Sequence, residues 1–141
     1  MIAYYKSLIE QTKGIECYAE NNTRQFFLFD DFLIKKAKNR AGTIECINEY
    51  EIYNTIENKY KKYLCPILYF TDEIIITKKA KPIKLESYLK DLENVIYYLC
   101  REYHLNYIDL LSDYNWGLLN KSPVLINYGE TFFKGEVTNL L

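Results

Sequence analysis

The stretch that decides the fold is residues 112–130, SDYNWGLLNKSPVLINYGE, which contains an Asn-Trp-Gly turn at 115–117 and an Asn-Tyr-Gly triplet at 127–129. The runs WGLL (116–119) and PVLIN (123–127) are typical of short strands, and NKS (120–122) between them is typical of a loop. The stretch therefore predicts a short β-hairpin with one Asn-aromatic-Gly triplet where its first strand begins and another where its second strand ends.

Two further hairpins are predicted upstream of this stretch. The runs RQFFLF (24–29) and FLIKKA (32–37) flank an acidic turn, and CPILYF (65–70) and EIIIT (73–77) flank Thr-Asp. The segment GIECYAE (14–20) is a candidate for a preceding strand. The sequence thus predicts four or five antiparallel strands within residues 14–77.

Two amphipathic helices are predicted between the strands. Apolar residues recur at steps of three and four over residues 42–63, with Thr43 as the candidate cap, and again over 85–103. The order is strands, helix, strands, helix and hairpin, without repeats or a linker. We therefore expect one α+β domain over residues 1–141.

Composition excludes several classes of protein. Apolar residues make up 49% of the chain, charged residues 26%, and the formal net charge is −1. This balance is typical of an ordered globular protein, and no apolar run is long enough for a signal sequence or a membrane span. The four cysteines contain no C-x-x-C pair and His104 is the only histidine, so we expect free thiols, no metal site and a cytoplasmic location.

The element order and the two Asn-aromatic-Gly triplets resemble the protein-kinase-like fold of the aminoglycoside-phosphotransferase branch, especially the short kinase-like proteins of phages. The resemblance implies a truncated kinase-like fold. Residues 14–80 would form a sheet with one packed helix, similar to a small lobe. Residues 81–141 would be the second helix and a short β-hairpin, a remnant of a large lobe that is mostly absent.

The resemblance also assigns a degenerate nucleotide site. Lys35 in FLIK, with Lys36 one residue out of register, corresponds to the lysine that binds nucleotide phosphates. Its helical glutamate partner would be Glu49 or Glu51, and Asn115 corresponds to the metal-binding asparagine of the catalytic loop.

Two positions depart from the pattern of the family. Leu110 stands five residues before Asn115, where the catalytic aspartate belongs, and Asn127 stands where an aspartate would bind Mg²⁺. The glycine-rich phosphate loop is also missing. From these departures we expect that the chain is not an enzyme, with no required cofactor and at most weak binding of ATP and Mg²⁺.

Three functions remain open on the sequence. The first is a non-catalytic protein-binding module, such as a phage inhibitor of a host defence protein (for example an anti-CRISPR protein), with 15 tyrosines available for an interface or a homodimer. The second is an active Mg-ATP phosphotransferase that uses Asp109 or Asp113 as its base. The third is a nucleic-acid-binding module that uses the lysine clusters at 35–40 and 78–84.

Overall fold

The computed structural model describes residues 1–129. The chain forms two compact units. The first contains Met1–Tyr50 and Pro66–Lys79, and the second contains Glu51–Cys65 and, among the described residues, 80–129. The organisation of residues 1–141 as a single domain stays a prediction.

The first unit is built on a five-stranded antiparallel sheet. Its strands are β1 (Ala19–Glu20), β2 (Arg24–Leu28), β3 (Phe32–Ala37), β4 (Ile67–Thr71) and β5 (Ile74–Lys78), and their order is β1-β2-β3-β5-β4. Both predicted hairpins are present. The strand predicted over 14–20 keeps only two residues in the ladder, because the amides of Lys13 and Gly14 still bond to carbonyls of the preceding helix.

Helix α1 (Ile2–Thr12) covers one face of this sheet and was not predicted. Tyr5 and Leu8 are buried in a cluster with sheet residues, namely Phe27, Ile34 and Ile76. Apolar burial of this kind holds the helix on the sheet. The sequence could have predicted this helix, because four residues recur at helical spacing and share one face, namely Tyr5, Leu8, Ile9 and Thr12.

The helix predicted over 42–63 is divided into α2 (Arg40–Thr55) and α3 (Asn58–Lys61). Asn39 starts α2, because its side-chain oxygen accepts a hydrogen bond from the amide of Gly42 at 3.1 Å. Thr43, the predicted cap, lies within the helix. At the other end of α2 the hydroxyl of Thr55 donates to the carbonyl of Glu51, a side-chain bond that tends to bend a helix.

Gly42 brings α2 close to the sheet, and substitution to alanine is expected to destabilise the protein. A Cβ atom at this position would lie 2.1 Å from the carbonyl oxygen of Thr23. We expect Gly42→Ala to lower the free energy of unfolding by about 1–3 kcal/mol, because backbone must shift to admit the methyl group. Gly14→Ala is the control, since only the carbonyl of Gln11 lies within 4.0 Å there. Equal urea midpoints for the two variants would contradict the close approach.

The second unit combines helices with a three-stranded sheet. A 3₁₀ turn (Leu85–Ser87) precedes α4 (Leu89–Tyr103), and α5 (Tyr107–Leu110) and a second 3₁₀ turn (Asp113–Asn115) follow. The strands are β6 (Lys81–Pro82), β7 (Trp116–Leu119) and β8 (Ser122–Leu125), in the order β6-β7-β8. The predicted helix over 85–103 is therefore confirmed in its main part, and it ends where His104 adopts a left-handed φ of 57°.

The predicted third hairpin is formed by β7 and β8. Its loop is Asn120 and Lys121, with φ of 51° and 67°, which is the geometry of a type I′ turn. Ser122, predicted as loop, pairs with Leu119. At the open end of the hairpin the amide of Ile126 donates to the carbonyl of Asn115 at 2.6 Å, so Asn115 lies opposite the residue that precedes Asn127, whereas Gly117 pairs with Val124.

The architecture confirms the predicted α+β class, with an antiparallel sheet, packed helices and a small second sheet. Across residues 1–129, none of the helices combines the length and apolar character required to cross a membrane.

Candidate active site

The centre of the first unit is an ion pair between β3 and α2. The Nζ atom of Lys35 lies 2.9 Å from Oε2 of Glu49, and both side chains have no exposed surface. The structure therefore decides between the alternatives left by the sequence. Lys36 points to the opposite face of β3 because side chains alternate along a strand, and Glu51 is exposed.

Arg24 on β2 joins this pair and was missed in the sequence. Its Nη2 atom lies 3.0 Å from Oε1 of Glu49, and its Nε atom lies 3.1 Å from Oε2 of Glu45. Arg24 is 3% exposed. The register of the β2–β3 hairpin could have identified Arg24. Phe26 pairs with Lys35, and because side chains alternate along a strand, Arg24 lies on the same face of the sheet as both.

The charges of this cluster support one another. Burial alone would raise the pKa of the Glu49 carboxyl, but Arg24 and Lys35 outweigh it, and the pKa lies below its ordinary value. Burial would likewise lower the pKa of Arg24, but Glu49 opposes it and the pKa is raised. The thiol of Cys46, beside Arg24, has a pKa raised mainly by burial. Glu49 is therefore held as a carboxylate between two cations.

In the second unit, Asn115 is fixed to the segment that carries Asp109. The Nδ2 atom of Asn115 donates to the carbonyl of Asp109 at 2.7 Å, and Nε1 of Trp116 donates to the carbonyl of Leu110 at 2.7 Å. Leu110 is buried. The half-buried Asp109 forms no side-chain hydrogen bond or ion pair within residues 1–129. Asp109 and Asn115 are therefore held together in one local segment of the second unit.

Asp113, the other candidate base, has a structural contact. Its Oδ1 atom accepts a hydrogen bond from the amide of Leu85 at 2.9 Å, where the 3₁₀ turn before α4 begins. Helix N-terminal amides need such acceptors. Of the two aspartates proposed from the sequence, Asp109 therefore has the freer carboxylate.

Asn127 follows β8 directly after Ile126, whose amide donates to the carbonyl of Asn115. Its Oδ1 atom is buried and accepts no hydrogen bond from any residue in the range 1–129. A buried acceptor without a donor is costly, and an amide oxygen of this kind fits a hard cation. Asn115 and Asn127 could offer Mg²⁺ neutral amide oxygens only, which bind this cation more weakly than carboxylates do.

The lysines of the first cluster and the cysteines were the other polar groups considered from the sequence. In the first lysine cluster, Lys35 is buried and Lys38 lies 3.0 Å from Glu20. All four cysteines are free thiols. In the part of the chain that the structure describes, no three His, Cys, Asp or Glu side chains are grouped so that they could hold a metal ion.

Comparison with known proteins identifies a similar fold. No protein-family model matches the chain, and no curated protein matches it in sequence. Among solved structures, the chain is similar to the aminoglycoside phosphotransferase APH(2")-IIa in its ternary complex with streptomycin and ATP. The TM-score is 0.51 at 16% sequence identity, and the alignment covers 90% of this chain and 70% of that chain.

This similarity corrects one expectation from the sequence. The chain was expected not to be an enzyme, and that is wrong, since the protein with the matching fold is a phosphotransferase whose structure contains ATP. The expectation rested on Leu110, on Asn127 and on the missing glycine-rich loop. Asp109, named from the sequence as an alternative base, stands six residues before Asn115, and its backbone carbonyl accepts a hydrogen bond from that asparagine. The chain thus has a kinase-like fold similar to that of an aminoglycoside phosphotransferase.

Proposed function

We propose that this protein is a kinase-like phosphotransferase that uses Mg-ATP to phosphorylate a hydroxyl group. The observation that carries the proposal is the ion pair of Lys35 and Glu49, buried completely between β3 and the following helix. In protein kinases a lysine on the third strand binds nucleotide phosphates and must pair with a helical glutamate. A surface pair would contribute little, whereas this pair occupies the centre of the unit.

Lys35 would contact the phosphates, and Glu49 would hold its ammonium group in place. Electrostatic attraction is stronger where water is excluded, so a buried lysine binds an anion more tightly than an exposed one. In the second unit, Asn115 and Asn127 are the candidate ligands for Mg²⁺, which would supply positive charge for the reaction. With a neutral amide at position 127, the metal is expected to bind more weakly than it would to an aspartate.

Asp109 would act as the general base. Its carboxylate would accept the proton of the acceptor hydroxyl as that oxygen forms a bond to the γ-phosphorus, and ADP would leave with the electrons of the broken P–O bond. Asn115 fixes the backbone of Asp109 through its carbonyl, so the base lies on a segment of defined geometry.

The nature of the acceptor is open to direct test. Streptomycin is bound in the matched structure, and a protein hydroxyl would agree with the host-protein partner expected from the sequence. That partner, the homodimer, the phage origin and the nucleic-acid alternative stay predictions.

Nucleotide binding is tested first by thermal unfolding with Mg-ATP. A ligand that binds only the folded protein stabilises it, by about 2.7 kcal/mol at a concentration of 100 times its dissociation constant. We expect millimolar Mg-ATP to raise the melting temperature of the wild type and of Lys36→Met but not of Lys35→Met. Each variant is compared with itself without nucleotide, so a change in its intrinsic stability does not enter. An equal rise in Lys35→Met would reject this lysine as the phosphate ligand.

A further inference from the structure

We infer that Arg24 is a positioning residue, which fixes Glu49 against Lys35 and keeps the ion pair assembled. The inference rests on the proposed function for its link to nucleotide binding, while its geometric part concerns the first unit alone. Arg24 lies on β2, one strand away from Lys35. Kinase-like folds are usually described by a pair of lysine and glutamate, and Arg24 is a third residue in addition to that pair.

The two oxygens of Glu49 are divided between two cations. Oε1 receives Arg24 at 3.0 Å and Oε2 receives Lys35 at 2.9 Å. An isolated carboxylate could rotate and offer Lys35 either oxygen. With one oxygen bound to a guanidinium on a different strand, the carboxylate plane is defined, and the second oxygen faces Lys35.

Arg24 also binds the preceding turn of α2. Its Nε atom lies 3.1 Å from Oε2 of Glu45, an ion pair without the geometry of a hydrogen bond. Glu45 is four residues before Glu49 and therefore on the same helical face. The planar guanidinium spans both carboxylates, which a lysine ammonium at the end of a flexible chain cannot do in the same way. Two successive turns of α2 are thereby attached to β2.

Neighbouring contacts hold the same part of the helix. The hydroxyl of Thr23 donates to Oε2 of Glu45 at 3.0 Å, and Gly42 approaches the carbonyl of Thr23 so closely that no Cβ would fit. The guanidinium carbon of Arg24 lies 5.6 Å from the centre of the Phe26 ring, which fixes its position from the strand side. The first half of α2 is therefore docked on residues 23–26.

The charges explain why Arg24 carries this role. Lys35 and Arg24 supply two positive charges, and Glu45 and Glu49 supply two negative ones, all at most 15% exposed. Without Arg24 the two glutamates would repel each other with a single cation between them. Helix α2 would then gain from moving Glu45 and Glu49 towards water, and Lys35 would lose its partner.

The test compares Arg24→Met, Arg24→Lys and Thr23→Val in the full chain. Thr23→Val removes one contact to Glu45 but leaves Arg24 in place. Affinities for Mg-ATP and for adenosine are measured by calorimetry, and amide hydrogen exchange is measured over α2 and β5. A general loss of structure weakens both ligands, whereas a misplaced Lys35 weakens only the ligand that carries phosphates.

We expect Arg24→Met to weaken Mg-ATP by about tenfold or more, in line with the loss of one charge-assisted hydrogen bond. Adenosine affinity should stay within about twofold, and exchange should accelerate in α2 while β5 stays protected. Arg24→Lys should lie between Arg24→Met and the wild type, and Thr23→Val close to the wild type. If Arg24→Met does not fold, Arg24→Lys provides the same comparison.

Two results have different meanings. Unchanged protection of α2 in the folded Arg24 variants would overturn the inference, whatever happens to nucleotide binding. A wild-type protein that binds no Mg-ATP would overturn the proposed function, and hydrogen exchange would still decide whether Arg24 positions α2.

Discussion

Replacement of Glu49 by glutamine is expected to lower the free energy of unfolding by about 3–5 kcal/mol, the cost of breaking a buried ion pair by removing one partner. The reason is that Lys35 and Arg24, whose side chains are 0% and 4% exposed, would lose the carboxylate between them. A neutral amide can offer only one acceptor oxygen to two cations. Urea unfolding followed by far-ultraviolet circular dichroism, which reports on the helices and strands of both units, measures the change.

Glu51→Gln is the matched control for Glu49→Gln. Glu51 lies two residues along the same helix and is exposed, so its substitution should change stability by no more than about 0.5 kcal/mol. The double variant Lys35→Met with Glu49→Gln should recover part of the loss, since it removes a buried cation together with the anion. Equal destabilisation by Glu49→Gln and Glu51→Gln would contradict the buried cluster.

The same substitution should change the response to acid. The pKa of Glu49 is lower in the folded protein than its ordinary value, so its contribution is complete above the unfolded pKa of about 4.3. That contribution is lost as the pH falls below this value and through the folded pKa. Glu49→Gln should therefore show a shallower loss of stability below about pH 4.3 than the wild type.

Replacement of Asp109 by asparagine is expected to lower the rate of phosphoryl transfer by about 10²–10⁴-fold, the range for loss of a general base. Affinity for Mg-ATP should change much less, because in the proposed mechanism the carboxylate acts mainly on the acceptor hydroxyl. Release of ADP from Mg-ATP, first with water and then with streptomycin as acceptor, gives the rate. A fall in rate at constant nucleotide affinity separates loss of chemistry from loss of binding.

Asp113→Asn is the control for Asp109→Asn. An asparagine keeps the side-chain oxygen that accepts the hydrogen bond from the amide of Leu85, so structure and turnover should both be preserved. Turnover lost in Asp113→Asn and retained in Asp109→Asn would exchange the roles of the two residues. Turnover unaffected by either change would remove both from the reaction.

The limits of prediction differ between elements. Local patterns were enough for the hairpins of β2–β3, β4–β5 and β7–β8 and for α4, because strand alternation, turn residues and helical spacing are properties of neighbouring positions. The division of the helix predicted over 42–63 was missed, because the apolar spacing continues past Ile56, whereas Glu57 leaves the helical conformation with a ψ of 140°.

The sequence by itself determined the α+β class and the order of the hairpins and helices. The resemblance to the kinase-like fold added Lys35, Glu49, Asn115 and Asn127 as a nucleotide site, and that assignment stays a prediction. The sequence left open whether Lys35 or Lys36 forms the ion pair and whether its partner is Glu49 or Glu51. It also left open whether Asp109 or Asp113 has a carboxylate without a structural contact. Tertiary structure decided these, because they depend on which side chains share a buried face. The contact of Arg24 with Glu49 was found only in the tertiary structure, since these residues are 25 positions apart and the folding of β2, β3 and α2 brings them together.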